Sequence, residues 1–296
     1  MSHITACESW LEQECGGRAL LVPSCTAALE AAVILSGARD VVLPSFAYPT
    51  CASSIIRAGA KPVFADIDLD TLCLDYRGGE WSMPIWYAGV QGSPKGLAIE
   101  DAAQCIGAYR LRGRFGCISF HRTKNVQCGE GGALIVHPED YERARVFTAC
   151  GTNRWKDRKD WTWLEVGTSS LMAEPLAETL LPELEACYEI TEQRLRVWRV
   201  YRDNIKASHR ASVPGNGHIF WFMSDKQAEL LEKMPELRKH YEPLHLCRPG
   251  LKYKRLGDLK NSVYAASHIV RPPMNVTEDE AFGISERIND IGLGRV

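Results

Sequence analysis

Short apolar segments alternate with helical segments in the first half of the chain, and this alternation limits the fold more than any other feature. The strand-like segments are residues 19–22, 41–43, 62–67, 83–86, 96–99, 117–120 and 133–136. The helical segments, each followed two residues later by a glycine, are residues 7–14, 26–35 and 50–57. Strands that alternate with helices favour a mainly parallel α/β sheet, in which ligands bind beyond the carboxyl ends of the strands.

The second half of the chain has a different pattern. A long helical pattern extends over residues 175–205, and a shorter mixed region follows it. In that region we predict a strand at residues 218–223 and a helix at residues 226–234. We therefore predict a large α/β domain over residues 1–205 and a smaller C-terminal α+β domain over residues 206–296.

Composition excludes several classes of protein. The 296 residues carry a net charge of -2, so the chain as a whole does not attract nucleic acid, although a local basic patch stays open. We expect no signal peptide and no membrane span, because the required basic and apolar runs are missing. The 11 cysteines form no Cys-x-x-Cys pair, which predicts reduced thiols in the cytoplasm and argues against a zinc site.

One lysine follows a predicted strand and precedes a glycine-rich turn. It is Lys124, in Ser119-Phe120-His121-Arg122-Thr123-Lys124-Asn125, followed by Gly129-Glu130-Gly131-Gly132. A lysine there has its amine at the ligand-binding edge of the sheet, and it can form a Schiff base if its surroundings lower its pKa. A lysine of this description is more often a solvated loop residue. The neighbouring segments have to show whether Lys124 is a cofactor-binding residue instead.

Two further segments end at the same predicted edge. Asp101 follows a strand, where an acid could keep a heteroaromatic ring nitrogen protonated or could cap the N-terminus of a helix. Ser24-Cys25-Thr26 joins a strand to a helix, and the first N–H groups of a helix attract phosphate. Taken together, a lysine, an acid and an anion site at one edge indicate a cofactor pocket.

Motifs in the same order as those of a known family extend through nearly the whole chain. They are Trp10-Leu11-Glu12-Gln13, residues 22–30, 44–48, 58–64, 87–90, 100–104, 119–124 with the Gly-Glu-Gly-Gly turn, 151–154, 163–172 and 240–245. They resemble the sugar aminotransferases of the DegT/DnrJ/EryC1/StrS family, and most of all the branch that aminates dTDP-4-keto-6-deoxyhexose to dTDP-4-amino-4,6-dideoxygalactose. The resemblance implies an aspartate aminotransferase-like fold, which is fold type I of the pyridoxal 5'-phosphate (PLP) enzymes, and PLP as the cofactor.

The resemblance also implies a role for each position around PLP. Lys124 would form the internal aldimine, and Asp101 would pair with the pyridine nitrogen. Gln104 would lie near the ring hydroxyl, and Tyr48 would stack on the ring. The phosphate-binding positions would be Thr26, Ala27 and Ser119, with Ser169 where many relatives place an asparagine from the second subunit of a homodimer.

The substrate side of the pocket is implied by the same resemblance. The family places four segments at or near the substrate, and their residues here are His121, Glu130, Asn153 and Arg154. The chain is short for the family, because the connections over residues 75–84 and 90–98 have lost their usual helices and the stretch before Ser119 is trimmed. These losses affect the periphery, where a nucleotide and a partner subunit would make contact.

A basic helix near residues 191–206 has two readings. Arg196, Arg199, Arg202 and Lys206 fall on one side of it and apolar residues on the other. The pattern is typical of a solvated face. The less favoured alternative is a patch for phosphates or nucleic acid, which would be extended by Arg154, Lys156, Arg158 and Lys159.

Three functional hypotheses follow. The leading one is an aminotransferase that moves an amino group from glutamate to a keto-sugar, with a nucleotide-linked sugar as the small-molecule substrate. The alternative is a PLP-dependent decarboxylase or lyase that acts on an amino-acid-like group, including one on a modified nucleotide or DNA base. A binding protein that has lost turnover is the third, and the intact Lys124, Asp101 and Gln104 argue against it.

Overall fold

The computed structural model describes residues 2–78, 80–94, 96–156 and 159–293 of the chain. The α-helices are α1 His3–Cys15, α2 Cys25–Ser36, α3 Pro49–Arg57, α4 Tyr141–Thr148, α5 Glu174–Glu185, α6 Cys187–Asn204, α7 Gln227–Lys233, α8 Lys260–His268 and α9 Glu278–Leu293. The strands are β1 Arg18–Val22, β2 Asp40–Pro44, β3 Lys61–Ala65, β4 Ile99–Asp101, β5 Phe115–Ser119, β6 Gly132–Val136, β7 Phe222–Met223 and β8 Ile269–Val270.

The first six strands form a mainly parallel sheet, as the alternating sequence pattern predicts. β2 pairs with β3 and β4 pairs with β5 in parallel, while β6 lies antiparallel between β5 and β1. Ser82 bridges Val42 of β2 and Ala98 next to β4, and Ile85 bridges Asp101. The order along the sheet is therefore β3, β2, residues 82–85, β4, β5, β6 and β1, and only β6 runs against its neighbours.

Alternate residues of the strands face two apolar layers. In β1, Ala19 and Leu21 pack in the core that contains residues of α1 and α5. Leu20 and Val22 face the other way, into the core formed with α2 and α3. Because successive side chains of a strand point to opposite faces, the sheet is covered on both sides by helices. This arrangement leaves the carboxyl ends of the parallel strands open to a ligand.

Two predicted elements differ from the structure. The helical pattern of residues 175–205 is two helices that meet at Ala186, because α5 packs on α1 whereas α6 packs on α9. Of the strand predicted at residues 218–223, only Phe222–Met223 form a strand, which is β7. Phe220, which precedes β7, packs against α6 instead, and its ring centroid lies 5.5 Å from that of Trp198. The hydrophobicity of Ile219 and Phe220 reflects burial and not pairing in a sheet.

The shortened connections also change the alternation. Among the described residues between β3 and β4 there is no α-helix, in agreement with the losses expected over residues 75–84 and 90–98. Farther along, the described residues between β4 and β6 also contain no α-helix. Helices therefore alternate with the strands of the large sheet only as far as β3, and the described residues that join β4, β5 and β6 contain no α-helix.

Residues of the predicted C-terminal domain pack directly on the sheet. Residues 254–256 pair with Phe64 of the edge strand β3 through backbone hydrogen bonds. The Asp66 carboxylate, just after β3, accepts hydrogen bonds from the N–H groups of Asn261 and Ser262 at the start of α8. One hydrophobic core contains residues from both sides of position 206. The division at residue 206 stays a prediction.

The basic side of α6 is engaged by acids. Arg196 lies 3.2 Å from Glu278, and Arg202 lies 2.7 Å from Asp203. These ion pairs favour the solvated-face reading over a phosphate-binding patch. Arg158, one member of the cluster thought to extend that patch, lies outside the described residues. In the part of the chain that the structure describes, no helix is long and apolar enough to cross a membrane.

The glycine-rich turn has a packing role that its sequence does not reveal. Gly132 begins β6 directly below the start of α2, and a Cβ atom built on it would lie 2.5 Å from the Cys25 nitrogen. A Cβ on the adjacent Gly131 would meet side-chain atoms and no backbone, with the Met172 Cε at 2.7 Å, the Cys128 Sγ at 2.8 Å and the Phe120 Cβ at 3.4 Å. Gly132 thus allows the strand-to-helix turn at Ser24 to approach the sheet.

We expect Gly132→Ala to lower the free energy of unfolding by about 1–3 kcal/mol, because its methyl group would push against the backbone at the start of α2. Gly131→Ala is the matched control and should cost clearly less, since side chains can move away. Urea denaturation of both variants measures the difference. Equal stabilities would contradict the close approach at Gly132.

Candidate active site

A cavity of about 1420 Å³ opens at the carboxyl ends of the parallel strands. Most of the residues predicted to contact a cofactor or substrate line it. They are Thr26, Tyr48, Asp101, Gln104, Ser119, His121, Lys124 and Glu130. The fold thus brings together segments that are up to about a hundred residues apart in the sequence, because they all end at one edge of the sheet.

Asp101 is the last residue of β4, and its side chain is 6% exposed. Its Oδ1 accepts a hydrogen bond from the Ala103 N–H at 3.0 Å, and its Oδ2 accepts one from the Cys51 thiol at 3.1 Å. The carboxylate therefore caps a turn, although no helix follows it. Burial raises the pKa of Asp101, and the two hydrogen bonds and the nearby Lys124 only partly oppose that shift.

Lys124 lies in the turn that follows β5, and its backbone N–H donates to the His121 carbonyl at 2.8 Å. Its side chain reaches into the cavity. Burial lowers the pKa of the Lys124 amine, and the Asp101 charge opposes that shift while the Arg271 charge adds to it. A lowered pKa increases the fraction of neutral amine, which is the form that attacks a carbonyl.

The strand-to-helix turn below the cavity offers an anion site. Helix α2 begins at Cys25, and the Ser24 hydroxyl accepts a hydrogen bond from the Ala27 N–H at 3.2 Å. Thr26 and Ser119, the last residue of β5, both line the cavity. The first N–H groups of a helix have no partner within the helix, and its dipole favours negative charge there.

Aromatic and amide groups form another wall of the cavity. Gln104 accepts from the Ala88 N–H at 2.7 Å and donates to the Tyr241 hydroxyl at 3.2 Å. The Tyr241 ring stacks on His240 with centroids 4.0 Å apart, and Tyr48 lies 6.1 Å from Tyr241. Since Tyr48 is 57% exposed, its ring is available to cover a planar ligand.

Four predicted site residues are not among those that line the cavity: Ala27, Asn153, Arg154 and Ser169. The Ala27 N–H donates to the Ser24 hydroxyl at 3.2 Å, at the start of α2. Ser169 is exposed and forms a single bridge with Ala149, and Arg154 is exposed. Asn153 is engaged locally, because its Oδ1 accepts from the Thr162 N–H at 2.8 Å. Their roles stay predictions. The exposure of Ser169 is compatible with the prediction that it contacts the cofactor site of a second subunit and not the cavity of its own chain.

The sequence analysis assigned no role to several cavity residues. Cys51 contacts Asp101, and His218, Arg194 and Arg271 line the same cavity as Lys124. The His218 Nδ1 lies 2.8 Å from the Asn125 Oδ1, so the residue that follows Lys124 fixes the orientation of this imidazole. The sequence gives only a weak indication of these residues. Arg271 stands directly after the apolar pair Ile269-Val270, where it could end a strand.

The donor set of this cavity fits PLP. A lysine with a lowered pKa suits the aldehyde, a buried carboxylate suits a protonated ring nitrogen, and the start of α2 suits the phosphate. Burial disfavours the ionised form of the Asp101 carboxylate, and its two hydrogen bonds offset that cost only in part. A cationic ring nitrogen next to Asp101 would remove that penalty.

Asp101→Asn should raise the free energy of unfolding of the cofactor-free protein at neutral pH, because it removes a carboxylate whose charged form is penalised by burial. The folded-state pKa lies above the unfolded value of about 3.9, so the penalty is complete above the folded pKa and disappears as the pH falls towards the unfolded one. The gain from Asn should therefore shrink in acid. Urea denaturation at several pH values measures it.

The control for this prediction is Asp290→Asn, at an exposed position of α9, which should leave stability almost unchanged. Addition of PLP should reverse the order of Asp101→Asn and the wild type, because only the carboxylate can pair with a protonated ring nitrogen. A less stable cofactor-free Asp101→Asn variant at neutral pH would contradict the prediction.

Comparison with known proteins supports this reading of the cavity. The sequence profile of the DegT/DnrJ/EryC1/StrS aminotransferase family matches residues 8–78 and 95–281, and its interruption falls in the shortened connection. An uncharacterised protein of Methanocaldococcus jannaschii is 23% identical over 330 residues, which cover 92% of this chain and 85% of that protein.

Two solved structures show the same fold. PseC of Helicobacter pylori, an aminotransferase of pseudaminic acid biosynthesis, has a TM-score of 0.89 at 17% identity, covering 99% of this chain and 92% of PseC. Spr1654 of Streptococcus pneumoniae, described as a sugar aminotransferase and solved with PLP and with pyridoxamine phosphate, has a TM-score of 0.87 in the latter form. Its identity is 18%, with 99% of this chain and 91% of Spr1654 covered. The chain therefore belongs to the DegT/DnrJ/EryC1/StrS aminotransferase family, and it is a PLP-dependent aminotransferase of fold type I.

Proposed function

We propose that the enzyme transfers the amino group of glutamate to a nucleotide-linked keto-sugar and that Lys124 holds the cofactor covalently. The observation that carries this proposal is the pairing, in one cavity, of a lysine with a lowered pKa and a buried carboxylate. A dTDP-linked 4-keto-6-deoxyhexose is the acceptor to test first, because the sequence most resembles that branch of the family. We propose a cytoplasmic location, where the 11 free thiols would stay reduced.

Each residue has a separate task in this proposal. Bound PLP supplies an electron sink for the carbon that carries the amino group. Asp101 keeps a proton on the ring nitrogen and thereby maintains that sink. Lys124 would hold PLP covalently and, once free as a neutral amine, would carry the proton that leaves the amino-bearing carbon of the substrate. Tyr48 would cover the ring and limit the access of water.

A homodimer is part of the proposal. The segment that contains Ser169 exposes several large apolar side chains, among them Trp163 at 70% and Val166 at 78% exposure. Exposed apolar residues that follow one another along a segment are typical of a protein interface. A second copy of the chain would cover them and would bring Ser169 to the partner's cavity.

Addition of L-glutamate to the PLP-loaded protein should bleach the yellow, lysine-bound cofactor to its amino form. Lys124→Ala should bind PLP without the yellow species, and its turnover should fall by about 10³-fold or more, because nucleophile and proton carrier are lost together. Absorption spectra and a single-turnover assay measure both effects. The control is Lys156→Ala, on the exposed surface.

Failure of glutamate to bleach a normal yellow species would overturn the proposed donor. That outcome would favour the decarboxylase or lyase hypothesis, to be tested by release of CO₂ from amino acids. Absence of the yellow species from the wild type would overturn the assignment of Lys124.

Val166→Glu should shift the protein towards a monomer, because a charge would be buried in the proposed interface. Sedimentation velocity measures the distribution. Val213→Glu, at a position that is 50% exposed in another part of the molecule, is the control and should sediment like the wild type. A Val166→Glu variant with wild-type sedimentation would argue against this interface.

A further inference from the structure

A buried thiol contacts the carboxylate that is proposed to pair with the ring nitrogen of PLP. Cys51 is 1% exposed, and its Sγ lies 3.1 Å from the Asp101 Oδ2. Burial, and after it the charge of Asp101, raises the pKa of the Cys51 thiol well above its usual value, so the sulfur keeps its proton at neutral pH. The thiol is therefore the donor of this hydrogen bond, and the carboxylate is the acceptor.

The two oxygens of Asp101 are held by different elements. Oδ1 accepts a hydrogen bond from the Ala103 N–H at 3.0 Å, in the turn after β4, and Oδ2 accepts one from Cys51 of α3. A carboxylate has about four acceptor positions, so each oxygen keeps one for another donor. Because a single donor would leave the carboxylate free to turn about its Cβ–Cγ bond, the second donor fixes its plane.

The helix that carries the thiol is itself fixed to α2. Ser54, which lies one turn after Cys51 on α3, is buried, and its hydroxyl donates to the Thr26 carbonyl at 3.4 Å. Farther along α3, Arg57 pairs with Glu30 of α2 at 2.8 Å. The thiol is thus held in place by contacts with the helix whose start offers the anion site, and it relates the plane of the carboxylate to that site.

Several other ionisable groups surround Asp101, but they do not orient it. Burial raises the pKa of four of them, and the Asp101 charge adds to that shift, so they stay neutral at neutral pH. They are the Cys25, Cys105 and Cys117 thiols and the Tyr241 hydroxyl. Lys124 acts on Asp101 through its charge, which lowers the pKa of the carboxyl. Among the residues that the structure describes, Cys51 is the one side chain that donates a hydrogen bond to this carboxylate.

We propose that Cys51 is a positioning residue, which holds the Asp101 carboxylate in the plane that a protonated ring nitrogen of PLP requires. It acts through Asp101 and needs no contact with the cofactor. A thiol is a weak donor, so it can orient the carboxylate and still leave it basic enough to keep a proton on the ring. This inference rests on the proposed role of Asp101 and adds the residue on which the orientation of that acid depends.

The alternative is that Cys51 only fills space in the apolar layer that contains residues of α2 and α3. Under that alternative, alanine would replace it at least as well as serine, because burial of a hydroxyl without need of it costs free energy. A hydrogen-bonding role predicts the opposite order, since serine keeps a donor at this position and alanine has none. The two substitutions therefore separate the two roles.

The first measurement is nitrogen NMR spectroscopy of the protein loaded with PLP that is isotope-labelled at its ring nitrogen, whose resonance reports protonation of that atom. Asp101→Asn supplies the reference for a ring without its acid. We expect Cys51→Ala to shift the resonance from the wild-type position towards that of Asp101→Asn, and Cys51→Ser to shift it clearly less. Cys7→Ala is the matched control, because the Cys7 thiol is also buried but donates to the Ala177 carbonyl. It should give the wild-type resonance.

The second measurement is urea denaturation of the cofactor-free chain at several pH values. The Cys51 hydrogen bond lowers the folded-state pKa of Asp101, so its removal raises that pKa further above the unfolded value of about 3.9. The added loss of stability is complete above the folded pKa and disappears as the pH falls towards the unfolded one. Cys51→Ala should therefore lose more stability at neutral than at acid pH, whereas the loss in Cys7→Ala should not depend on pH. When combined with Asp101→Asn, Cys51→Ala should lose its pH dependence.

A wild-type resonance in Cys51→Ala, together with a shifted one in Asp101→Asn, would overturn the inference and leave the role of Asp101 standing. An unshifted resonance in Asp101→Asn would instead refute the proposed role of Asp101 itself. Equal shifts in Cys51→Ala and Cys51→Ser, or a shift in Cys7→Ala, would also overturn the inference, because packing would then be responsible. A loss of stability in Cys51→Ala that is independent of pH would show that the hydrogen bond does not act on the carboxylate in solution.

Discussion

The register of β4 against β5 is the constraint on which the active site depends. Parallel pairing places the end of β4, with Asp101, opposite Cys117 of β5, and the turn after β5 then carries Lys124 to the same edge. The backbone hydrogen bonds between β4 and β5 thereby help to place the acid and the amine at one cavity. Their pKa values shift in opposite directions, one raised and one lowered, because burial penalises the charged form of each.

The sequence predicts the parts of this molecule whose pattern is local. Short apolar runs and helices ended by glycine give correct positions for β1, β2 and β3 and for the helices α2 and α3. The same reasoning makes residues 218–223 too long a strand, since burial against α6 and pairing in a sheet produce the same apolar run. It also cannot separate α5 from α6, because their break at Ala186 is caused by different packing partners.

The site residues also divide into those that a local sequence pattern predicts and those that depend on tertiary packing. Lys124 and Asp101 are recognisable because each follows a strand and belongs to a motif. Arg194 and Arg271 cannot be recognised from the sequence, because nothing in their local sequence indicates that α6 and the end of β8 face one cavity. Cys51 was counted only among the 11 reduced thiols, although its hydrogen bond contributes to the environment of Asp101. Residues whose role depends on tertiary contacts over long sequence separations need the structure.

The pairing of residues 254–256 with β3 has a consequence for how the protein is made. β3 is the outer strand of the sheet, and an unpaired outer strand offers free N–H and carbonyl groups to any other chain. The residues that cover it are synthesised more than 180 positions after β3, so a growing chain carries an open sheet edge for most of its translation. A chain that ends before residue 254 would keep every proposed PLP-contacting residue and still expose that edge to aggregation.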